Sequence, residues 1–523
     1  MIHKDKAKEY IRRAELCYNR LQNDVLADTI TFSATYCKTK EPVRWEDREK
    51  GEFVVAEEGV VWGEPWDSAW FHLKAEVPEA WAGKKVSAKI DFSSEGLIFD
   101  AEGVPVQGLS SGSVHSAAFY RAYRHLYEPA KGGEMVDLWV EAAANHLFGI
   151  DVDRDPPRNC PQRHGRYAPK IAAMRLGIFN EDVWQLSLDM DVLMSLYKAL
   201  PEQSVRRSRI LLALSNAISV YKDSPVNAGA AREELKGALS QPANASALTS
   251  VSVGHAHIDT GWLWPVRESI RKCARTYSSQ LDLIKRYPGY VFGASQPQHY
   301  QFVKDHYPAL YEKIKKAVAD GSWELQGGMW VEADCNIISG ESMVRQFLHG
   351  KNFFMDEFGI DVRNLWIPDV FGYSAAMPQI MKRAGVDYFL TQKISWSQFN
   401  KFPHTTFRWR GIDGTEVVTH FPPEDTYNSE ITPHGQIRAE NNFQECDTLT
   451  EYMTLFGVGD GGGGPKAEHL ERAMRLKSLE GCSKVEFGTA ADFFARPEPY
   501  TEELPVWSGE LYLELHRGTL TTQ

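Results

Sequence analysis

The sequence contains no apolar run approaching the ~18 residues that a membrane-spanning helix needs, and it opens on Met1-Ile2-His3-Lys4-Asp5-Lys6, a charged start unlike a signal peptide. It has little cysteine. The seven (Cys17, Cys37, Cys160, Cys273, Cys335, Cys446, Cys482) are odd in number, widely spread and without a Cys-x-x-Cys pair, so no disulfide framework is expected and the sequon Asn244-Ala245-Ser246 reads as chance. It has no basic surplus either. With 58 Lys and Arg against 70 Asp and Glu the net charge is −12, which argues against nucleic acid and against an anionic membrane as partners. A cytoplasmic protein is the expectation, and a homo-oligomer is left open. What is present is ordinary for a soluble globular chain, 43% hydrophobic and 24% charged. At 523 residues it is long enough for about three units.

Residues 5 to 28 place Ile11, Leu16, Leu21, Val25 and Leu26 at helical spacing and predict a lead-in helix. From about 29 to 179 the pattern becomes short alternating runs broken by Gly, Pro and Asp, as in an antiparallel β-sandwich or jelly roll. Trp62, Trp66 and Trp81 read as packing residues of that small β core rather than as a sugar platform. We therefore expect a β-sandwich-like domain over 1–180, then a helical segment and linker over 181–246. Beyond 247 strands and helices alternate. Strand candidates are 251–257, 290–296, 323–331, 364–369, 388–393, 416–421 and 452–459, with helices between them closed by Gly321, Gly359 and Gly385. Seven such repeats over 247–508 favour a closed barrel or a wound parallel sheet, both of which bind ligands at the carboxyl ends of the strands.

Polar residues collect at those ends. On an extended strand His255, His257 and Asp259 would share one face, an imidazole and carboxylate set suited to a divalent ion, with Trp262 and Trp264 offering flat surface beside it. The alternative is two strand-end histidines and two core tryptophans. The other strands end in Gln296 and Gln298, in Glu332 and Asp334, in Asp369, in Gln392-Lys393 and in Asp460. Each alone is compatible with a cap or turn; six at one mouth form a set that packing does not require. Gly459-Asp460-Gly461-Gly462-Gly463-Gly464-Pro465 lacks the Gly-Lys-Ser/Thr ending of a phosphate loop, and its glycines are expected to bring backbone close to a substrate. His516 is a site residue or a surface histidine.

Five motifs in order carry a resemblance: His255-Ala-His-Ile-Asp-Thr-Gly-Trp262, Gly327-Gly-Met-Trp-Val-Glu332 with Ser339-Gly-Glu-Ser342, Ile367-Pro-Asp-Val-Phe-Gly-Tyr-Ser374, Gly457-Val-Gly-Asp-Gly-Gly-Gly-Gly-Pro465 and Gly509-Glu-Leu-Tyr-Leu-Glu-Leu-His-Arg-Gly518. Together they resemble glycoside hydrolase family 38, the α-mannosidases of the cytosolic and bacterial type. The resemblance implies an α/β fold, a seven-stranded β/α barrel catalytic domain preceded by a β-sandwich-like domain and helices. It implies His257, Asp259 and Asp369 as metal ligands, Asp369 also as nucleophile, and Asp460 as general acid. Trp262, Lys393, Glu332 and His516 would touch the sugar. Zn²⁺ is the first choice of ion, with Co²⁺ or Mn²⁺ compatible with the mixed ligand set. The implied reaction is retaining hydrolysis of terminal α-mannosides in an oligosaccharide substrate by two carboxyl groups roughly 5 Å apart. A metal-dependent deacetylase on a similar barrel and an inactive carbohydrate-binding fragment are the rival readings. The family's usual continuation would begin with a helical domain from about 509. The chain is thus expected to be the amino-terminal half of a longer enzyme, with a fourth ligand histidine beyond residue 523.

Overall fold

The computed structural model describes residues 6–111, 120–145 and 168–515. The chain divides into two compact units, one of residues 1–240 with 274–282 and one of residues 241–273 with 283–523.

The first unit begins with the helix Ala7–Asp24, which buries Ala14, Cys17 and Leu21 along one stripe, the 3.6-residue period made physical. Two antiparallel sheets follow. The larger runs in the order 54–55, 33–39, 68–76, 135–143, 95–99, 105–111, 120–121, and the smaller in the order 26–31, 173–179, 86–91, 123–127. Alternation decides what lies between them. Phe71, Leu73, Ile98, Leu109 and Val140 from the larger sheet share one core with Val86, Ala88, Ile90, Met174 and Leu176 from the smaller. Trp62 and Trp81 lie in that core, and the indole N–H of Trp62 donates to the Phe92 carbonyl at 3.1 Å. Helices Glu181–Ala199, Val205–Tyr221 and Ala228–Leu239 complete the unit; the last lies within the stretch expected to be a linker.

In the second unit all seven expected strands form. Thr249–His255 pairs in parallel with Phe292–Ala294, Glu451–Phe456 and Lys484–Phe487, and Phe292–Ala294 pairs in parallel with Trp323–Leu325. A second sheet runs in the order Asn364–Trp366, Tyr388–Leu390, Glu416–His420, Thr406–Arg410, Val506–Ser508, the first three parallel. Val251, Val253, Met453 and Leu455 of the first sheet meet Trp366 and Leu390 of the second in a single core cluster.

Among the described residues the ladders do not join into one closed ring, as an uninterrupted barrel would require. Side chains cross both gaps instead. Asn364 Oδ1 accepts from the Gly327 amide at 3.0 Å, and His420 Nε2 accepts from the Met453 amide at 3.2 Å. The His420 ring is fully buried and neutral, its pKa pushed down to about 3 by burial, and Nδ1 donates to Thr406 Oγ1 at 2.9 Å. Most strands are shorter at their carboxyl ends than the sequence suggests, because the polar residues there leave the ladder to line the site. No described helix is long and apolar enough to cross a membrane.

Candidate active site

The strand Thr249–His255 stops at His255, and that stop separates the two histidines. His255 is buried, its Nε2 lies 2.6 Å from the Tyr427 carbonyl, and its ring meets Trp366 edge-on, so it packs the core rather than joining the polar cluster. Burial pushes its pKa down to about 4. The expectation that His255, His257 and Asp259 share one face fails for this residue, because the alternation of a strand ends where the strand ends.

His257 sits in the loop beyond, and its two nitrogens face different partners. Nδ1 lies 2.7 Å from Glu332 Oε2. Nε2 is buried without a hydrogen bond and faces Asp259 Oδ1 at 3.5 Å, Asp369 Oδ2 at 3.5 Å and Asp460 Oδ1 at 4.0 Å. Burial works against charge on this ring, but the Glu332 and Asp259 carboxylates outweigh it and hold the pKa well above the ordinary histidine value. Neither ring nitrogen makes a hydrogen bond, and an Nε2 ringed by three carboxylates is the donor set of a divalent cation site. His257, Asp369 and Asp460 offer ligand atoms that all lie within 4.8 Å of one another. Asp259 touches the same nitrogen but falls outside that tight group, whereas Asp460, expected only as an acid, falls inside it.

Asp369 divides its oxygens. Oδ2 faces His257, while Oδ1 is in contact with the ammonium of Lys393. Lys393 is 2% exposed and lies 4.3 Å from the Phe371 ring centre and 3.7 Å from that of Trp396, an aromatic cradle that holds the cation against the carboxylate. Asp460 is held from the other side. It adopts φ +50°, and the Tyr427 hydroxyl donates to its Oδ1 at 2.9 Å. Burial, then the neighbouring Asp369 and Asp259 carboxylates, raise its pKa to about 6 against the opposing pull of His257 and Tyr427. Tyr427 was not expected from sequence. It comes from the loop after the strand Glu416–His420, and one tyrosine among 21 carries no local signal.

Glu332, expected at the sugar, is turned toward His257 instead. Trp262 is 46% exposed and meets Trp264 edge-on at 5.4 Å; Trp264 is buried, its N–H donating to Ser269 Oγ at 2.9 Å. Asp334 accepts from the amides of Asn336 and Ile337, a turn role. The glycine loop is tight for packing reasons. A Cβ at Gly459 would come within 2.5 Å of Asn428 Oδ1, and one at Gly461, where φ is +73°, within 2.5 Å of the Lys272 side chain. Its close approach is thus to the protein's own side chains. His516 and Cys160 lie outside the described residues.

A parallel β/α unit with an imidazole and several carboxylates gathered beyond its strand ends is the architecture of a hydrolase that acts through paired acids, a metal ion or both. The N-terminal domain of the glycosyl hydrolases family 38 matches residues 247–510, and the chain belongs to that family. The jelly roll domain of α-mannosidases matches residues 28–187. The chain is 38% identical over 490 residues to α-mannosidase G of Dictyostelium discoideum, covering 92% of this chain and 44% of that protein. It is 36% identical over 485 residues to α-mannosidase 2C1 of Homo sapiens, covering 92% and 46%. An α-mannosidase of Saccharomyces cerevisiae is 34% identical over 514 residues, covering 91% and 45%. The chain thus spans less than half the length of each of these relatives.

Proposed function

We propose that this chain carries the catalytic machinery of a metal-dependent, retaining α-mannosidase that hydrolyses terminal α-mannosides of oligosaccharides. The observation that carries the reading is the pair Asp369 and Asp460, with oxygens within 4.8 Å of each other beside His257. That is close to the roughly 5 Å at which a second carboxylate attacks the anomeric carbon directly rather than through water. Asp369 is the nucleophile, its Oδ1 held by Lys393 while Oδ2 is turned toward His257. Asp460, buried and with a pKa near 6, protonates the departing oxygen and then takes a proton from the incoming water. The Tyr427 hydroxyl fixes which oxygen of Asp460 is free. Half-exposed Trp262 supports the apolar face of the sugar.

The donor set fits a divalent cation because the buried Nε2 of His257 has no hydrogen bond and faces three carboxylates. His257, Asp259 and Asp369 would hold it, zinc being the first choice and Co²⁺ or Mn²⁺ compatible. When bound, such an ion supplies a template for sugar hydroxyls and stabilises developing charge. The α-mannosidases similar to this chain support the substrate class. A cytoplasmic setting belongs to the same reading. The deacetylase alternative needs a second metal histidine, and among the described residues the metal-capable group contains one.

The test is to trap the protein with a fluorinated mannoside and map the labelled peptide. Label on Asp369 is expected. Asp369→Ala should abolish turnover of every mannoside, whereas Asp460→Ala should lose on the order of 10²–10⁴-fold with poor leaving groups and far less with activated aryl mannosides. Equal losses on both substrates would remove Asp460 from the acid role.

A further inference from the structure

Gln296 stands where the backbone favours glycine. It follows the strand Phe292–Ala294, opens the helix Pro297–His306 and adopts φ 66° and ψ 87°, a left-handed conformation that residues with a Cβ avoid. Glycine would make this turn without strain, so the contacts of the side chain must account for its presence. Its Nε2 donates to the Ile258 carbonyl at 2.9 Å and to Glu332 Oε1 at 3.2 Å. Its Oε1 accepts from Thr260 Oγ1 and from the Glu332 amide, both at 3.2 Å. One buried carboxamide thus ties the segment of His257 and Asp259 to the segment of Glu332. Ser295 Oγ donates to the same Oε1 of Glu332 at 3.0 Å, which leaves Oε2 to face His257 Nδ1.

We propose that Gln296 is a positioning residue for a divalent-metal site: by fixing Glu332 it fixes the ring of His257, so that Nδ1 stays against the carboxylate and Nε2 is presented as a ligand. The inference rests on the metal reading above and adds to it the residue that sets the histidine's orientation. Groups that orient a ligand are worth about 10–100-fold in metal affinity, and Gln296 stands one contact further from the ion than Glu332. Gln296→Leu is therefore expected to weaken binding about 10-fold, the lower end of that range.

The experiment measures Zn²⁺ and Co²⁺ affinity of the whole chain by chelator competition, with the visible spectrum of bound Co²⁺ as a second readout. Gln296→Leu should bind both ions more weakly and shift the Co²⁺ bands. Gln296→Gly, which relaxes the backbone, should also bind weakly even though it is expected to melt no lower than Gln296→Leu; affinity that merely tracked melting temperature would overturn the proposal. Ser295→Ala leaves the left-handed turn untouched, removes the other hydrogen bond to Glu332 Oε1, and should still lose a few-fold, the arm that decides the matter if the Gln296 variants do not fold. Variants that bind as tightly as a metal-binding wild type overturn this inference alone. A wild-type chain that takes up neither ion overturns the metal reading and the inference with it.

Discussion

Tyr427 joins the core to the site, its carbonyl against His255 Nε2 and its hydroxyl on Asp460. The hydroxyl donates to a carboxylate that burial already pushes toward neutrality, so it favours the charged form and opposes the rise. Tyr427→Phe removes that opposition. The pKa of Asp460 should rise further, and the alkaline limb of kcat/KM, where the acid loses its proton, should move to higher pH. A limb that stays or moves down in an aryl mannoside assay would mean that a different group is the acid. His257, Asp259, Asp369, Lys393 and Asp460 were picked out in the sequence because each stands at or just past the end of a strand candidate. The partners that orient them were not. Tyr427 comes from 170 residues beyond His257, and Glu332 looked like a sugar contact because sequence gives the position of a carboxylate and not the direction it faces. His255 was misplaced for a related reason, since period two says nothing about where a ladder stops.

At the scale of elements, the seven strands were legible from apolar runs bounded by glycine and acidic residues, but their assembly into two sheets was not. Thr406–Arg410 pairs antiparallel with Glu416–His420 across Gly411-Ile412-Asp413-Gly414, and that turn signal could have revealed the hairpin. The gap between Trp323–Leu325 and Asn364–Trp366 is crossed by Asn364, and the gap between Glu416–His420 and Glu451–Phe456 by His420. Each satisfies a backbone amide that lacks a ladder partner, so deleting either acceptor leaves a buried N–H unpaired. Asn364→Leu and His420→Leu should each lower the stability of the second unit by about 1–3 kcal/mol, more than either substitution would at a surface position. Denaturant titration measures this, and a loss under about 0.5 kcal/mol for both would show that the sheets are held together by the shared Val251, Trp366 and Leu390 core without help from the crossings.

For the whole molecule, the division falls at 240/241, several residues before the change from polar linker to β-branched strand at which the sequence places the boundary, 247. The inclusion of 274–282 with the first unit has no sequence signal, since the long helix containing it reads as one uninterrupted element. Every residue of the candidate metal cluster belongs to the second unit. A ligand that binds only the folded form stabilises by RT ln(1 + [L]/Kd), about 2.7 kcal/mol at a hundredfold excess over Kd. Added Zn²⁺ should therefore raise the melting transition of the second unit and leave that of the first, with its jelly-roll core, where it was. A chelator should reverse the shift, and Asp369→Ala should abolish it. Calorimetry of the intact chain separates the outcomes, with limited proteolysis assigning each transition to its unit. Equal movement of both transitions would mean that the two units unfold as one cooperative block. Movement of the first alone would place the ion outside the cluster of His257, Asp369 and Asp460, and the proposed reaction would then lose its metal.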